Sequence, residues 1–165
     1  MNVTNTTVRE ATAEDARAIV QTHYDAVHTT AASDYELAVL DEWSAVVDDR
    51  VASMINQIEK NPDGSLMLVA ELDGKIVGFG EIVAAQCELR AVYVSPTSGR
   101  NGIGRALLSE LEKRARALGA ARLWLDSSLT AEPFYRAQGY QFDERSEHQL
   151  RSGRMMACVK MHKNL

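Results

Sequence analysis

One stretch constrains this chain more than any other: Leu89-Arg90-Ala91-Val92-Tyr93-Val94-Ser95-Pro96-Thr97-Ser98-Gly99-Arg100-Asn101-Gly102-Ile103-Gly104-Arg105-Ala106-Leu107-Leu108. An apolar run of strand character stops at Pro96, a short loop with three glycines follows, and an amphipathic helix begins near Ile103. Strand and helix are rigid, glycine lets backbone approach a ligand closely, and the first N–H groups of a helix have no partner within it. Such a segment is an anion site, and it predicts a phosphorylated ligand.

With 165 residues the chain is read as a single domain, 1–165, long enough to bury a sizeable core. Its 45% hydrophobic and 25% charged content is that of a soluble globular protein. A net charge of −5 argues against nucleic acid as the partner. Cys87 and Cys158 match no metal-ligand spacing and sit in apolar runs, so they are expected as buried free thiols; four scattered histidines give no metal motif, and no metal is expected. Met1 to Thr7 is polar, without the apolar segment of a leader, and no run approaches the ~20 apolar residues of a membrane span. The expectation is a cytoplasmic protein without a membrane partner.

Taken in order, Val8 to Ala11 predicts a short strand, and Thr12 caps a helix from about Ala13 to His28. His23 lies on the apolar face of that helix and is read as structural. A second helical region follows a cap at Ser33-Asp34 and runs to Lys60, with a break at Ser44 or at Asp48-Asp49. Asn61-Pro62-Asp63-Gly64 ends it. The period then changes: Ser65–Leu72 and Lys75–Ala84 read as strands joined by the two-residue turn Asp73-Gly74, and Cys87–Val94 as a third strand. Ile103, Leu107, Leu111, Ala115 and Leu118 form the core stripe of the helix that ends at Gly119. Arg122–Asp126 is a strand, Ala131–Gln138 a short helix, and Tyr140–Phe142 pairs with Met155–Met161 across the polar stretch Asp143–Gly153. The result is one mixed α/β domain.

The glycine loop is not a P-loop, since no Gly-Lys-Ser/Thr follows. It also fails the dinucleotide pattern G-x-G-x-x-G, because Arg105, Ala106 and Leu107 follow Gly104, and an antiparallel hairpin precedes it. A nucleotide-binding protein for ATP or NAD is therefore disfavoured. A second motif lies one strand later, Asp126-Ser127-Ser128-Leu129-Thr130-Ala131-Glu132-Pro133-Phe134-Tyr135-Arg136-Ala137-Gln138-Gly139-Tyr140. Together the two stretches resemble the GNAT superfamily of acyl-CoA-dependent N-acyltransferases. The shared order is a strand ending near Val-x-Pro, a loop of form Gln/Arg-x-x-Gly-x-Gly/Ala, a helix, a strand, and a short helix ending Phe-Tyr-x-x-x-Gly-Tyr/Phe. It spans about Ser65 to Phe142. One departure is Gly99, which occupies the first loop position, with Arg100 beside it. Another is Ser127-Ser128, where many relatives carry an asparagine.

The resemblance implies an α/β (α+β) fold whose central, mixed and mostly antiparallel sheet of about six or seven strands is flanked by helices on both faces. It implies acetyl-CoA as co-substrate: Val92, Tyr93 and Val94 hold the pantetheine arm like an added strand, and the amides of Arg100, Asn101, Gly102, Ile103, Gly104 and Arg105 hold the pyrophosphate. Ser128 supplies a hydroxyl in place of the asparagine. A splay between strands 87–94 and 122–126 opens the slot.

Acetyl transfer needs a neutral amine, a polarised thioester carbonyl and a protonated leaving sulfur. Tyr135 matches the family's tyrosine acid, and a phenol with pKa near ~10 keeps its proton at neutral pH; the alternative reading is a core aromatic. Glu81 and Glu88 are the candidate bases, and Glu88 is preferred because it lies on the cofactor strand. The reading is an N-acetyltransferase acting by direct attack on a primary amine of a small molecule or peptide, with a homodimer as the form of assembly considered; the alternative is a non-catalytic acyl-CoA-binding or regulatory module. The acceptor pocket is expected from about His23–Trp43 and Asp143–Gly153, with Tyr24, His28, Tyr35 and Trp43 as possible lining.

Overall fold

A computed structural model describes residues 6–165; the first five residues of the polar N-terminal segment lie outside the described residues. Twelve elements follow one another: β1 (Thr6–Glu10), α1 (Ala16–Asp25), α2 (Leu37–Trp43), α3 (Val47–Lys60), β2 (Leu66–Leu72), β3 (Lys75–Val83), β4 (Glu88–Val94), α4 (Ile103–Ala117), β5 (Arg122–Ser128), α5 (Glu132–Ala137), β6 (Gln141–Gln149) and β7 (Met155–Asn164). The strands form one seven-stranded sheet in the order β1-β2-β3-β4-β5-β7-β6. Neighbours are antiparallel except β4 and β5, which run parallel. The β2–β3 hairpin closes on Asp73 (φ 51°) and Gly74 (φ 76°), the positive angles that a two-residue turn needs to match strand twist.

Helices cover both faces. On one, Ile103, Leu107, Leu108, Leu111 and Ala115 of α4 pack with Leu68, Val77, Ile82, Leu89, Leu123 and Leu125 in the main core. Cβ atoms added to Gly78 and Gly80 of β3 would stand 3.0 Å from Leu107 Cδ1 and 2.6 Å from Leu111 Cδ1, so these glycines let α4 lie tight on the sheet. On the other face, Ile19 of α1 with Met54 and Ile58 of α3 covers Met67, Val69 and Phe79.

Several boundaries differ from the sequence reading. The first helix is α-helical only over Ala16–Asp25: a 3₁₀ turn precedes it at Ala13–Asp15, and a π turn follows at Ala26–Thr30. The break before α3 falls at Ser44, whose backbone is extended. Cys87 is not a strand residue; it takes the left-handed conformation (φ 53°) ahead of β4, and both cysteines are free. Leu118 ends the α4 stripe exposed, past the last helical residue. The largest correction concerns Asp143–Gly153. Most of it is strand, because β6 runs to Gln149 and only Leu150–Arg154 connects it to β7. Nearly every β6 residue is exposed, so this edge strand faces solvent on both sides and shows no apolar alternation. No helix among the described residues is long and apolar enough to cross a membrane.

Candidate active site

The sheet opens between its two parallel strands. Glu88 and Trp124 are the one register pair joining β4 to β5, fixed by the Trp124 N–H donating to the Cys87 carbonyl at 2.8 Å and by Trp124 Nε1 donating to the Gln86 carbonyl at 2.9 Å. Beyond it the strands part. The Ser95 N–H donates to the Val77 carbonyl at 2.8 Å. Backbone N–H groups alternate between the two edges of a strand, so those of Tyr93 and Ala91 also face β3. Those of Val92 and Val94 point into the opening.

At the top of the opening, β4 passes through Pro96–Ser98 into the glycine loop. Gly102 (φ 74°) turns the chain directly into α4, and the first intrahelical bond runs from the Ala106 N–H to the Gly102 carbonyl at 2.9 Å. The N–H groups of Ile103, Gly104 and Arg105 are thus left without intrahelical partners, at the positive end of a 15-residue helix. Arg100 is a non-glycine residue at φ 65°, a conformation that costs roughly 1 kcal/mol. Among the described residues neither Arg100 nor Arg105 has an ion-pair partner. A cavity of about 630 Å³ is lined here by Val92, Tyr93, Val94, Arg100, Gly102, Ile103, Gly104, Arg105 and Ser128; of the sequence-predicted cofactor residues, Asn101 does not line it. A Cβ on Gly104 would stand 3.3 Å from Phe134 Cε2 and 3.5 Å from Val94 Cγ2, so α4, α5 and β4 meet at this glycine.

A second cavity of about 390 Å³ lies further down the opening, lined among others by Glu88, Asp126, Tyr135, Cys158 and the hairpin residues His148–Arg151. Trp43, Val92, Tyr93, Ser128 and Ala131 line both cavities, which therefore form one continuous slot.

Tyr135 is buried on α5, edge-on to Phe134 (5.2 Å between centroids) and Tyr140 (5.5 Å). Among the described residues its hydroxyl has no hydrogen bond, and burial, then the nearby Tyr93, pushes the phenol well above its ordinary range. The proton stays on oxygen. Ser128 Oγ accepts the Ala131 N–H at 3.1 Å, which fixes the turn entering α5.

The two glutamates are separated by a bulge. Glu81 pairs with Ala91 but Ile82 with Leu89, so Arg90 is an extra residue in β4. That insertion puts Leu89, Val92 and Val94 on the α4 face although their numbering is out of step. The Arg90 guanidinium reaches Glu88 (3.1 Å), Glu81 (3.7 Å) and Asp63. Glu88 lines the second cavity; Glu81 lines neither. Burial raises the Glu81 carboxyl above the usual carboxylate range, and its Oε1 has no hydrogen-bond partner among the described residues.

The floor of the slot is aromatic. Tyr93 stacks on Phe79 (5.4 Å) and meets His23 edge-on at 4.5 Å, with Trp43 at 6.3 Å. His23 Nδ1 lies 2.8 Å from both Ser44 Oγ and Arg50 Nη1. Burial, then the Arg50 charge, lowers the His23 pKa to about 3, so the ring is neutral and Nδ1 accepts. Of the expected acceptor-pocket aromatics only Trp43 lines the slot. Tyr24 stacks on His28 (4.1 Å), and the Tyr35 hydroxyl donates to the Ala157 carbonyl (2.7 Å) while accepting the Leu129 N–H (2.8 Å). Arg90 and Arg50 carry no local sequence signal of these contacts, and Ser44 stands out in the sequence only as a helix break.

The model for the acetyltransferase (GNAT) domain family matches residues 23–165. A curated relative, IAA acetyltransferase from Azospirillum brasilense, is 36% identical over 80 residues, covering 44% of this chain and 52% of that protein. The chain thus spans about half the length of that relative. A solved structure described as a GCN5-related N-acetyltransferase, aminotransferase class-II, from Rhodopseudomonas palustris superposes with a TM-score of 0.87 at 28% identity, over 100% of this chain and 99% of that one. PaiA N-acetyltransferase from Thermoplasma acidophilum, solved with coenzyme A, gives 0.78 at 20% identity, over 98% and 99%, and shows the same fold.

Proposed function

The chain belongs to the GNAT acetyltransferase family and is an acyltransferase, and from that premise we propose that it transfers an acetyl group from acetyl-CoA to a primary amine by direct attack. The observation that carries this reading is the continuity of the slot: the glycine loop and free β4 edge at one end, Tyr135 and Glu88 at the other. The residues fit the cofactor. Free amides and the guanidinium groups of Arg100 and Arg105 suit a pyrophosphate. The outward N–H groups of Val92 and Val94 suit an extended amide-bearing arm. The coenzyme A held by the Thermoplasma acidophilum protein supports the same assignment.

In the reaction a C–N bond forms as the C–S bond breaks, and one proton passes in net from nitrogen to sulfur. Glu88 takes the proton of the attacking amine, directly or through a water. An outward N–H of β4 stabilises the oxygen of the tetrahedral intermediate. Tyr135, kept protonated by burial, donates to the departing sulfur and is reprotonated from solvent.

Calorimetry with acetyl-CoA, ATP and NAD tests the ligand, with binding of acetyl-CoA alone expected. Tyr135→Phe is expected to lower kcat by tenfold or more while cofactor affinity stays within about twofold. Acetyl-CoA binding without turnover of any amine would leave an acyl-CoA-binding module instead.

A further inference from the structure

One guanidinium serves three carboxylates beside the second cavity. Arg90 is the extra residue of the β4 bulge, with no residue opposite it on β3. Its side chain reaches Glu88 on its own strand, Glu81 on β3 and Asp63 in the turn between α3 and β2. The three contacts are unequal. Asp63 Oδ2 accepts a hydrogen bond from Nη1 and Glu88 Oε2 one from Nε (3.1 Å), while Glu81 stands off at 3.7 Å.

The turn that carries Asp63 holds it in place. Asn61 ends α3 in the left-handed conformation (φ 40°), and Gly64 follows at φ 67°, its N–H donating to the Asn61 carbonyl at 3.2 Å. Gln57 Nε2, near the end of α3, donates to Asp63 Oδ1 at 3.3 Å and leaves Oδ2 to Arg90. The Arg90 hydrogen bond, above all, holds the Asp63 carboxyl below the usual carboxylate range, so the turn presents an anion at neutral pH. Asp63 lines neither cavity of the slot, whereas Arg90 and Glu88 both line the second. An effect of Asp63 on catalysis must therefore pass through Arg90.

A carboxylate that serves as a base takes the proton on one oxygen, and it is pre-organised when the other oxygen is held. Arg90 Nε holds Glu88 Oε2, and among the described residues Glu88 Oε1 carries no hydrogen bond. We propose, resting on the reading of Glu88 as the base, that Arg90 and Asp63 are its positioning residues: Asp63 fixes the Nη1 arm of the guanidinium from outside the slot, and the Nε edge then holds Glu88 Oε2, leaving Oε1 for the proton of the attacking amine. Neither Arg90 nor Asp63 exchanges a proton in the step. A lysine cannot take the place of Arg90, because an ammonium is a point charge whereas Nε and Nη1 lie on one rigid fork. Glu81, at the longest of the three contacts, contributes least.

The test is a double-mutant cycle on the whole chain, read as free-thiol release from acetyl-CoA with whichever of glycinamide, L-alanine, spermidine and phenylethylamine the unchanged chain turns over fastest. Asp63→Asn is expected to lower kcat about fivefold or more with the KM for the amine within about twofold, and to change kcat by less than about twofold once Glu88→Gln is present. Arg90→Lys, a second variant at an exposed position, is expected to lower kcat likewise at unchanged KM. A loss of the same size in the Glu88→Gln background, or no loss in Asp63→Asn while Glu88→Gln alone is impaired, overturns the positioning role alone. So does a raised KM with kcat unchanged in Arg90→Lys, which would make Arg90 a contact of the acceptor. Turnover of none of the four amines, or full activity in Glu88→Gln, overturns the acetyltransferase reading or the choice of base, and this inference with it.

Discussion

Glu88 and Trp124 form the last register pair between β4 and β5, and the strands part immediately beyond it. The open edge of β4 follows from this pair. Because the Tyr93 N–H faces β3 while those of Val92 and Val94 face the opening, their exchange behaviour differs before any ligand is added. Amide hydrogen exchange should find Tyr93 protected in the free protein and Val92 and Val94 exchanging freely. Acetyl-CoA should slow the latter two by at least tenfold. Equal protection of all three without ligand would mean the edge is not free.

Gly104 sits where α4, α5 and β4 converge, with Phe134 and Val94 already within 3.3–3.5 Å of a Cβ position. A branched side chain there must push the helix start away from the slot. Gly104→Val should destabilise the fold by about 1–3 kcal/mol and weaken acetyl-CoA binding by tenfold or more. Thermal melting and calorimetry measure the two effects separately. Gly99→Ala is the control: its nearest neighbour, the Pro96 carbonyl oxygen, is 3.6 Å from the added Cβ, and little change is expected.

The parts of the site that could be read from the sequence are those built from neighbours in the chain. Strand, glycine loop and α4 are contiguous, and Ser128 to Tyr135 follows one strand later, so short motifs carry them. The Arg90 bulge does not show in the sequence because Leu89 and Ala91–Val94 on either side of it still read as one strand. It decides which glutamate reaches the slot. β6 does not show because an edge strand exposed on both faces has no alternating pattern. His23, Ser44 and Arg50 come together only through the packing of α1 against α3, and no local spacing announces it. Asn101 lies between two members of the cradle in the chain, yet it does not line the slot.

His23 makes stability depend on pH. Burial, the Arg50 charge and then His28 hold its folded pKa at about 3, below the ordinary ~6.5. The groups facing it are Ser44, Arg50, Trp43, Phe79 and Tyr93, none of which supplies a negative charge at neutral pH. Between these two values the unfolded chain binds a proton that the native state refuses. The stability contributed by neutral His23 is therefore complete above ~6.5 and is lost as pH falls toward about 3, at up to about 1.4 kcal/mol per pH unit. Denaturant melts from pH 7 to 4 should show this slope. His23→Asn keeps an acceptor for Arg50 without the titration, and should flatten the curve while lowering stability at pH 7.

Glu88 and Glu81 share one guanidinium, that of Arg90, but only Glu88 opens on the slot. If the base must reach the amine, directly or through one water, the two residues should respond differently to the same change. Glu88→Gln should lower kcat by about a hundredfold with acetyl-CoA affinity unchanged, and the loss should shrink at higher pH, where the amine loses its own proton to solvent. Glu81→Gln should change kcat by no more than about threefold. Its carboxyl is already driven toward the neutral form by burial, so a neutral amide of the same shape should cost little stability. Steady-state kinetics of both variants from pH 6 to 9, with melting curves alongside, separates the roles. A hundredfold loss in Glu81→Gln with Glu88→Gln unaffected would reverse the assignment and make Arg90 a gate between Glu81 and the slot.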